Sequence, residues 1–182
     1  MFGLILLGIV LLTIIVLIML YNRLVALRQN CRQGMADIDA QLQQRNDLIP
    51  NLVSTVKGYA THEKETLEQV ISARNAAMAN PGPAAEAALG GALGKLIALG
   101  EAYPDLKANA NFQQLQGELA DTEDKLAAAR RAMNSASADY NTARESFPAV
   151  LIANMFGFQP FDFIEIAADR RASVSAVPKV EF

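Results

Sequence analysis

The residues that come nearest to a catalytic or metal-binding motif are His62 and Glu63, near the middle of the chain. In the zinc-protease pattern His-Glu-x-x-His, a second histidine follows on the same helix face, and here Thr66 stands at that position. His62 is the sole histidine and Cys31 the sole cysteine, so the ligand set of a protein zinc site is missing. We therefore interpret His62 as a polar surface residue and expect no metal site and no cofactor.

Motifs for other reactions are also missing. The sequence contains no G-x-S-x-G, no P-loop and no G-x-G-x-x-G, and its serines have no general base close by in the sequence. The net charge of −3 provides no basic face of the kind that binds nucleic acid. We expect neither a catalytic residue nor a nucleic-acid partner, and an enzyme is the weakest of the functional interpretations.

Three charged residues, Arg45, Glu63 and Arg74, interrupt the apolar stripes of predicted helices. A charge buried in a helical core has to be paired and hydrogen-bonded, because an isolated one costs several kcal/mol. One interpretation is a polar lock inside the bundle. The other is that the long arginine stems lie on apolar surface while their charged ends reach water. We favour the lock for Arg45 and the second interpretation for Arg74.

The elements that position these residues begin with an apolar N-terminus. Residues 1–22 contain no charged side chain, and the run Phe2–Leu20 would span about 28 Å as a helix, close to the hydrocarbon thickness of a bilayer. A cleaved signal peptide is less favoured, since the basic start and the A-x-A cleavage site are both absent. We predict a transmembrane anchor over residues 1–20.

The orientation of this anchor follows from its flanking charges. Arg23, Arg28 and Arg32 follow the apolar run, and no arginine or lysine precedes it. By the positive-inside rule, the N-terminus is expected outside and the remainder of the chain in the cytoplasm, at a bacterial inner membrane.

Apolar residues spaced by three and four positions predict long helices throughout, an all-α fold. The first helix is expected to continue from the anchor to residue 48 and to stop before Pro50, which would begin the second. Short turns between long helices predict an elongated antiparallel up-down four-helix bundle over residues 21–148. The expected helices are 2–48, 50–79, 84–102 and 112–147, and the last has the spacing of a coiled-coil-like packing seam.

This arrangement also predicts partners for Arg45 and a position for the C-terminal part. Arg45 should lie level with the early fourth helix, where Glu118 and Asp121 are the candidate partners of the lock. An apolar segment, 149–163, should lie at the membrane-proximal end, followed by a polar tail, 164–182.

The apolar segment contains four phenylalanines that could contact a membrane or another subunit: Phe156, Phe158, Phe161 and Phe163. Such a surface is too apolar to stay in water. Three destinations stay open: a plug for the open end of its own bundle, the contact with a neighbouring subunit, and the headgroup layer. We rank them in that order, because phenylalanine lacks the polar tip that suits a headgroup belt.

Several stretches resemble the LemA family of bacterial membrane proteins, in the order that the family has them. They are YNRLVALR after the anchor, QLQQRNDLIPNLVSTVKGYATHE at 41–63, EAYPDLKANANFQQLQGELADTEDKLAAARR at 101–131, YNTARESFP at 140–148 and FGF at 156–158. The sequence departs from the family at Met35, often aromatic there, and at Met133-Asn134, often Tyr-Asn. The resemblance implies one N-terminal anchor and a bundle of long helices. Some relatives are linked to bacterial organelle membranes such as the magnetosome, which implies scaffolding rather than catalysis.

Three classes of function follow. The leading one is a membrane-anchored scaffold or adaptor that self-associates, with the lipid bilayer and further copies of the chain as its partners. The second is a regulatory partner of another membrane protein, such as a protease or a signalling complex. The third, an enzyme, would need catalytic residues that the sequence does not offer.

Overall fold

The structure is a computed structural model that describes residues 1–164. Its elements are α1 (Phe2–Tyr59), α2 (Lys64–Ala79), α3 (Pro83–Ala102), α4 (Pro104–Lys107), α5 (Ala110–Glu145) and α6 (Ala149–Met155). Residues 1–164 contain no β-strand, so the predicted all-α class is confirmed. All but the first residue of the predicted polar tail, 164–182, lies outside the described residues.

The first helix differs from the sequence-based prediction at its end. It was expected to stop before Pro50, but α1 continues through Pro50 to Tyr59, and the break falls at residues 60–63. The helix expected over 50–79 is therefore shortened to α2. Proline in a helix interior removes one main-chain hydrogen bond, and a continuing helix needs another donor in its place. That donor is Arg74, described below.

The other boundaries lie close to those that the sequence predicts. Residues 80–82 separate α2 from α3, and Pro83 occupies the first turn of α3, where its missing N–H costs nothing. Pro104 likewise begins the one-turn helix α4. The last long helix, α5, ends at Glu145, shortly before Pro148.

The apolar N-terminal part of α1 is long enough to cross a bilayer. An 18-residue window within α1 is suitably apolar, and none of it is buried. Nothing interrupts the helix between Leu20 and the arginines that follow. The predicted continuity of the anchor with the next long helix is therefore present.

The described residues divide into two compact units, and α1 and α5 contribute to both. The first unit consists of Met1–Asp39 and Ala127–Ile164. In it, α1 and α5 run antiparallel and pack closely: a Cβ added at Gly34 would lie 3.0 Å from the Sδ of Met133. Glycine therefore permits the close approach of the two helices here.

The second unit, Ala40–Leu126, has its own apolar core. That core is formed by side chains of α1 to α5, among them Ile49, Leu52, Val56, Leu67, Val70, Leu89, Leu93, Leu96, Leu106, Phe112 and Leu119. Burial of such side chains is the main source of helical stability in a protein, since isolated helices are marginal in water. The first of the two candidate sites belongs to the same unit.

Candidate functional site

His62 and Glu63 lie in the turn between α1 and α2. The His62 side chain is exposed, and residues 1–164 hold no group of three or more His, Cys, Asp or Glu side chains that could bind a metal ion. Glu63 accepts a hydrogen bond from the hydroxyl of Tyr103 at 3.1 Å. This bond stabilises the neutral phenol, and it is the largest cause of the raised pKa of Tyr103. Glu63 therefore ties the turn to the residue that follows α3.

Arg45 is buried in the second unit, with 2% of its surface exposed. Its Nη1 donates to Oε1 of Glu123 on α5 at 3.0 Å, and its Nη2 forms an ion pair with Glu86 on α3. The Glu86 side chain is 11% exposed and that of Glu123 is 41% exposed. A single guanidinium thus connects α1, α3 and α5, and Glu86 is the more deeply buried of its two partners.

The acids that the sequence analysis paired with Arg45 have other partners. Glu118 accepts from Nε2 of Gln114 at 2.8 Å, and Asp121 forms an exposed ion pair with Lys125 at 2.6 Å. Glu123 comes two residues after Asp121, a rotation of about 200° around a helix with 3.6 residues per turn. The level on α5 was therefore nearly right and the helix face was wrong. Glu86 was missed because it lies in an Ala- and Gly-rich helix without a clear apolar stripe.

The sequence pattern favours an Arg74 guanidinium that reaches water, but in the structure it bonds to the main chain of α1. Its Nε donates to the main-chain carbonyl of Asn46 at 2.9 Å. In an α-helix this carbonyl would accept from the N–H four residues on, at position 50, and Pro50 has none. The side chain of Arg74 from α2 therefore replaces the main-chain donor that Pro50 lacks.

These residues, Arg45, Asn46, Arg74, Glu86 and Glu123, form what we call the polar node. Its bonds join α1 to α2, α3 and α5 within the second unit. Its members supply charge-assisted hydrogen bonds, which are about twice as strong as neutral ones. This arrangement can hold α1 in a fixed register against α2, α3 and α5.

A second polar arrangement lies in the first unit, where residues 158–164, which we call the C-terminal strap, come after α6 and lie along α5. Asn141 donates from Nδ2 to the carbonyl of Phe161 at 2.8 Å and accepts from its N–H at 3.1 Å. Asn134 holds Ile164 in the same way, at 3.0 Å and 2.8 Å. Seven helical residues rise about 10.5 Å, and three extended residues span about 10 Å. The two asparagines are thus spaced to hold an extended chain.

Two further side chains of α5 contact the strap through its carbonyls. The hydroxyl of Tyr140 donates to Gln159, and Nε of Arg144 donates to Phe158, both at 2.8 Å. Tyr140 is fully buried, and burial is the main cause of the raised pKa of its phenol. All these hydrogen bonds go to main-chain atoms of the strap.

The four phenylalanines expected to contact a membrane or a subunit divide into two pairs. Phe158 is buried, 5.6 Å from the ring of Tyr21 and with the guanidinium of Arg28 4.9 Å above its own ring. Phe161 is partly buried and packs edge-on against Tyr140 at 5.4 Å. Phe156 and Phe163 stay exposed. The structure therefore places Phe158 and Phe161 within their own unit and leaves the other two available for contacts.

The chain is similar in sequence to proteins that are named as magnetosome proteins. It is 25% identical to magnetosome protein MamQ of Magnetospirillum gryphiswaldense over 177 residues, 81% of this chain and 65% of that protein. It is 22% identical to MamQ 2 and to MamQ 1 of Paramagnetospirillum magneticum, over 82% of this chain and 66% of each. The chain thus spans just under two thirds of the length of these relatives.

The family comparison covers most of the chain. The LemA family matches residues 34–182, which include α2 to α6 and residues 34–59 of α1. Both the polar node and the C-terminal strap fall inside this range. The chain belongs to the LemA family.

Proposed function

We propose that this chain is a membrane-anchored helical scaffold or adaptor that self-associates at the cytoplasmic face of a bacterial inner membrane. The observation that supports this most is the exposed apolar segment of α1, which continues without a break into the part of α1 that packs against α5 in the first unit. A continuous helix keeps this packed part at a fixed distance from the apolar segment, whereas a flexible linker would not. Such a chain is suited to holding a helical surface of the first unit beside a membrane.

The proposed orientation rests on Arg23, Arg28 and Arg32, which follow the apolar segment. It is tested with a cysteine at an exposed position of the turn between α2 and α3, Asn80→Cys, in a Cys31→Ala background. Cys31 itself is buried, and burial raises the pKa of its thiol, so little of it is present as the reactive thiolate. In intact cells the new cysteine should resist a membrane-impermeant maleimide and react after lysis. Labelling before lysis would reverse the proposed topology.

Self-association is supported by apolar side chains that the second unit leaves in water. Ile71 and Met78 are 44% and 49% exposed, and they lie two turns apart on one face of α2. The relatives named as magnetosome proteins also favour a role in organising a membrane. Contacts between apolar faces persist in high salt, unlike contacts between exposed charges.

The test of self-association uses two differently tagged copies expressed together and solubilised in mild detergent. Capture of one tag should recover the other at both low and high salt, and Ile71→Glu with Met78→Glu should weaken the recovery. The exposed polar pair Ser72→Glu and Asn75→Glu on the same helix is the matched control. Failure to recover the second tag, together with stoichiometric recovery of one other membrane protein, would replace the scaffold by a regulatory partner of that protein.

A further inference from the structure

Four large apolar side chains on α6 and beside it are exposed, and we call them the apolar rim. Phe147 is 82% exposed, Leu151 58%, Met155 74% and Phe156 59%. Leu151 and Met155 are four residues apart on α6, the spacing of neighbours on one helix face, and Phe147 lies in the turn just before this helix. The rim belongs to α6 and the residues that flank it.

The short helix α6 is apolar on both sides. Ala149, Ile152 and Ala153 are buried, so this side of α6 packs within the first unit. The other side holds Leu151 and Met155, and α6 contains no charged residue. Burial within the chain's own unit therefore does not account for the apolar side chains of Leu151 and Met155.

The rim lies level with the end of the apolar part of α1. The ring of Phe156 is 5.0 Å from that of Tyr21, which directly follows the predicted span. Phe147 and Leu20 line the same surface cleft, together with Arg23. The ring contact and the shared cleft both place the rim at the residues where α1 would leave the hydrocarbon.

We propose that the apolar rim inserts into the headgroup–acyl boundary of the bilayer that the α1 anchor spans. The inference rests on the proposed anchor and adds to it a second lipid contact by α6. Because α1 is unbroken and its 19 apolar residues reach about 28 Å, Leu20 lies at the near boundary of a core roughly 30 Å thick.

Both the charge pattern and the position of the rim favour lipid as the occupant. Exposed Arg23 lies beside the rim, and arginines at this depth are attracted to anionic headgroups. The rim also continues the exposed apolar surface of α1, for which lipid is the matching solvent. Interfacial segments of this kind bury apolar side chains about 5–10 Å into the boundary.

The experiment uses single tryptophans, since the chain has none of its own. Full-length Phe147→Trp is reconstituted into vesicles of phosphatidylcholine and phosphatidylglycerol, with or without lipids brominated near the carbonyl end of the acyl chain. Ile9→Trp reports the anchor. Met35→Trp replaces an exposed apolar residue of α1 about 22 Å beyond Leu20 and is the matched control. Met155→Trp is a second rim variant in case Phe147→Trp fails to fold.

The brominated lipids should quench the rim tryptophans about twofold, and should leave Met35→Trp unquenched. If Ile9→Trp is quenched with deeply brominated lipid but the rim tryptophans are not, the rim contact is overturned and the anchor stands. If Ile9→Trp also escapes quenching, the anchor itself fails. A rim tryptophan with blue-shifted but unquenched emission would show that a second copy of the chain covers the rim instead, which also overturns the proposal.

Discussion

Arg74 donates a hydrogen bond of 2.9 Å from its Nε to the main-chain carbonyl of Asn46, the acceptor that Pro50 leaves without its helical donor. A proline inside a helix costs about 3 kcal/mol, part of it through this missing bond. Asn46 is buried, so water is a poor substitute. The side chain of a neighbouring helix thus allows α1 to continue for nine residues beyond its proline.

This relationship predicts a specific coupling between two substitutions. Arg74→Met should lower the free energy of unfolding by about 1–3 kcal/mol, the cost of a buried polar group without a partner. In a Pro50→Ala background the N–H of residue 50 can bond to Asn46, so the same substitution should cost less than about 0.5 kcal/mol. Denaturant unfolding of the full-length chain in detergent, followed by helical circular dichroism, measures both. Equal losses in the two backgrounds would contradict the account of α1.

The polar node predicts which acids matter to Arg45. Arg45→Met should cost about 3 kcal/mol or more, because it leaves the carboxylate of Glu86 buried and unpaired. Glu86→Gln should cost more than Glu123→Gln, since Glu123 is better exposed to water. The controls are Glu118→Gln and Asp121→Asn, which should change stability by less than about 0.5 kcal/mol. If the controls lost more unfolding free energy than Glu86→Gln, then Glu86 and Glu123 would not be the acids that stabilise Arg45.

Two glycines of α3 should respond oppositely to alanine. A Cβ at Gly94 meets no atom of the described residues within 4 Å, so Gly94→Ala should stabilise the chain by about 0.5–1 kcal/mol through helix propensity. A Cβ at Gly100 would lie 2.9 Å from Cε1 of Phe112, a buried ring that has little room to move. Gly100→Ala should therefore destabilise. Stabilisation by both substitutions would mean that Gly100 of α3 lies further from the ring of Phe112 than this prediction requires.

The strap predicts a local change in hydrogen exchange. Asn141→Leu removes both bonds to the backbone of Phe161, and Asn134→Leu removes both to Ile164. Each variant should speed the exchange of the corresponding strap amide. Such amides exchange through local opening, which costs less free energy than global unfolding. Asn75→Leu, at an exposed position of α2, is the control and should leave the strap amides unchanged. Unaltered exchange in both strap variants would mean that other contacts hold this segment.

How far the sequence predicts this molecule depends on which interactions are local. Helix periodicity and the breakers at residues 80–82 are local signals, and the all-α fold follows from them. The path of α1 through Pro50 depends on Arg74, 24 positions further along the chain, so a rule about proline alone ends the helix too early. Glu86 also depends on distant residues. It is buried by helix packing, and the sequence pattern of α3 does not predict that burial.

The sequence of α5 contains a partial signal for the strap. Asn134 and Asn141 each follow a fully buried residue of α5, Met133 and Tyr140, at a spacing of seven. Two asparagines seven residues apart, next to the apolar seam of α5, indicate a polar strip on one side of that seam. What the spacing alone cannot supply is the occupant, which here is the chain's own residues 158–164.

The central proposal, a scaffold that self-associates at a membrane, is tested most directly by cross-linking in native membranes with isotope-mixed copies. Cells that make light and heavy versions of the full-length chain together are treated with a lysine-reactive cross-linker, and linked peptides are identified by mass spectrometry. The account predicts abundant light–heavy pairs joining two copies of the same segment. Only light–light and heavy–heavy pairs, with the remaining links leading to one other membrane protein, would contradict it.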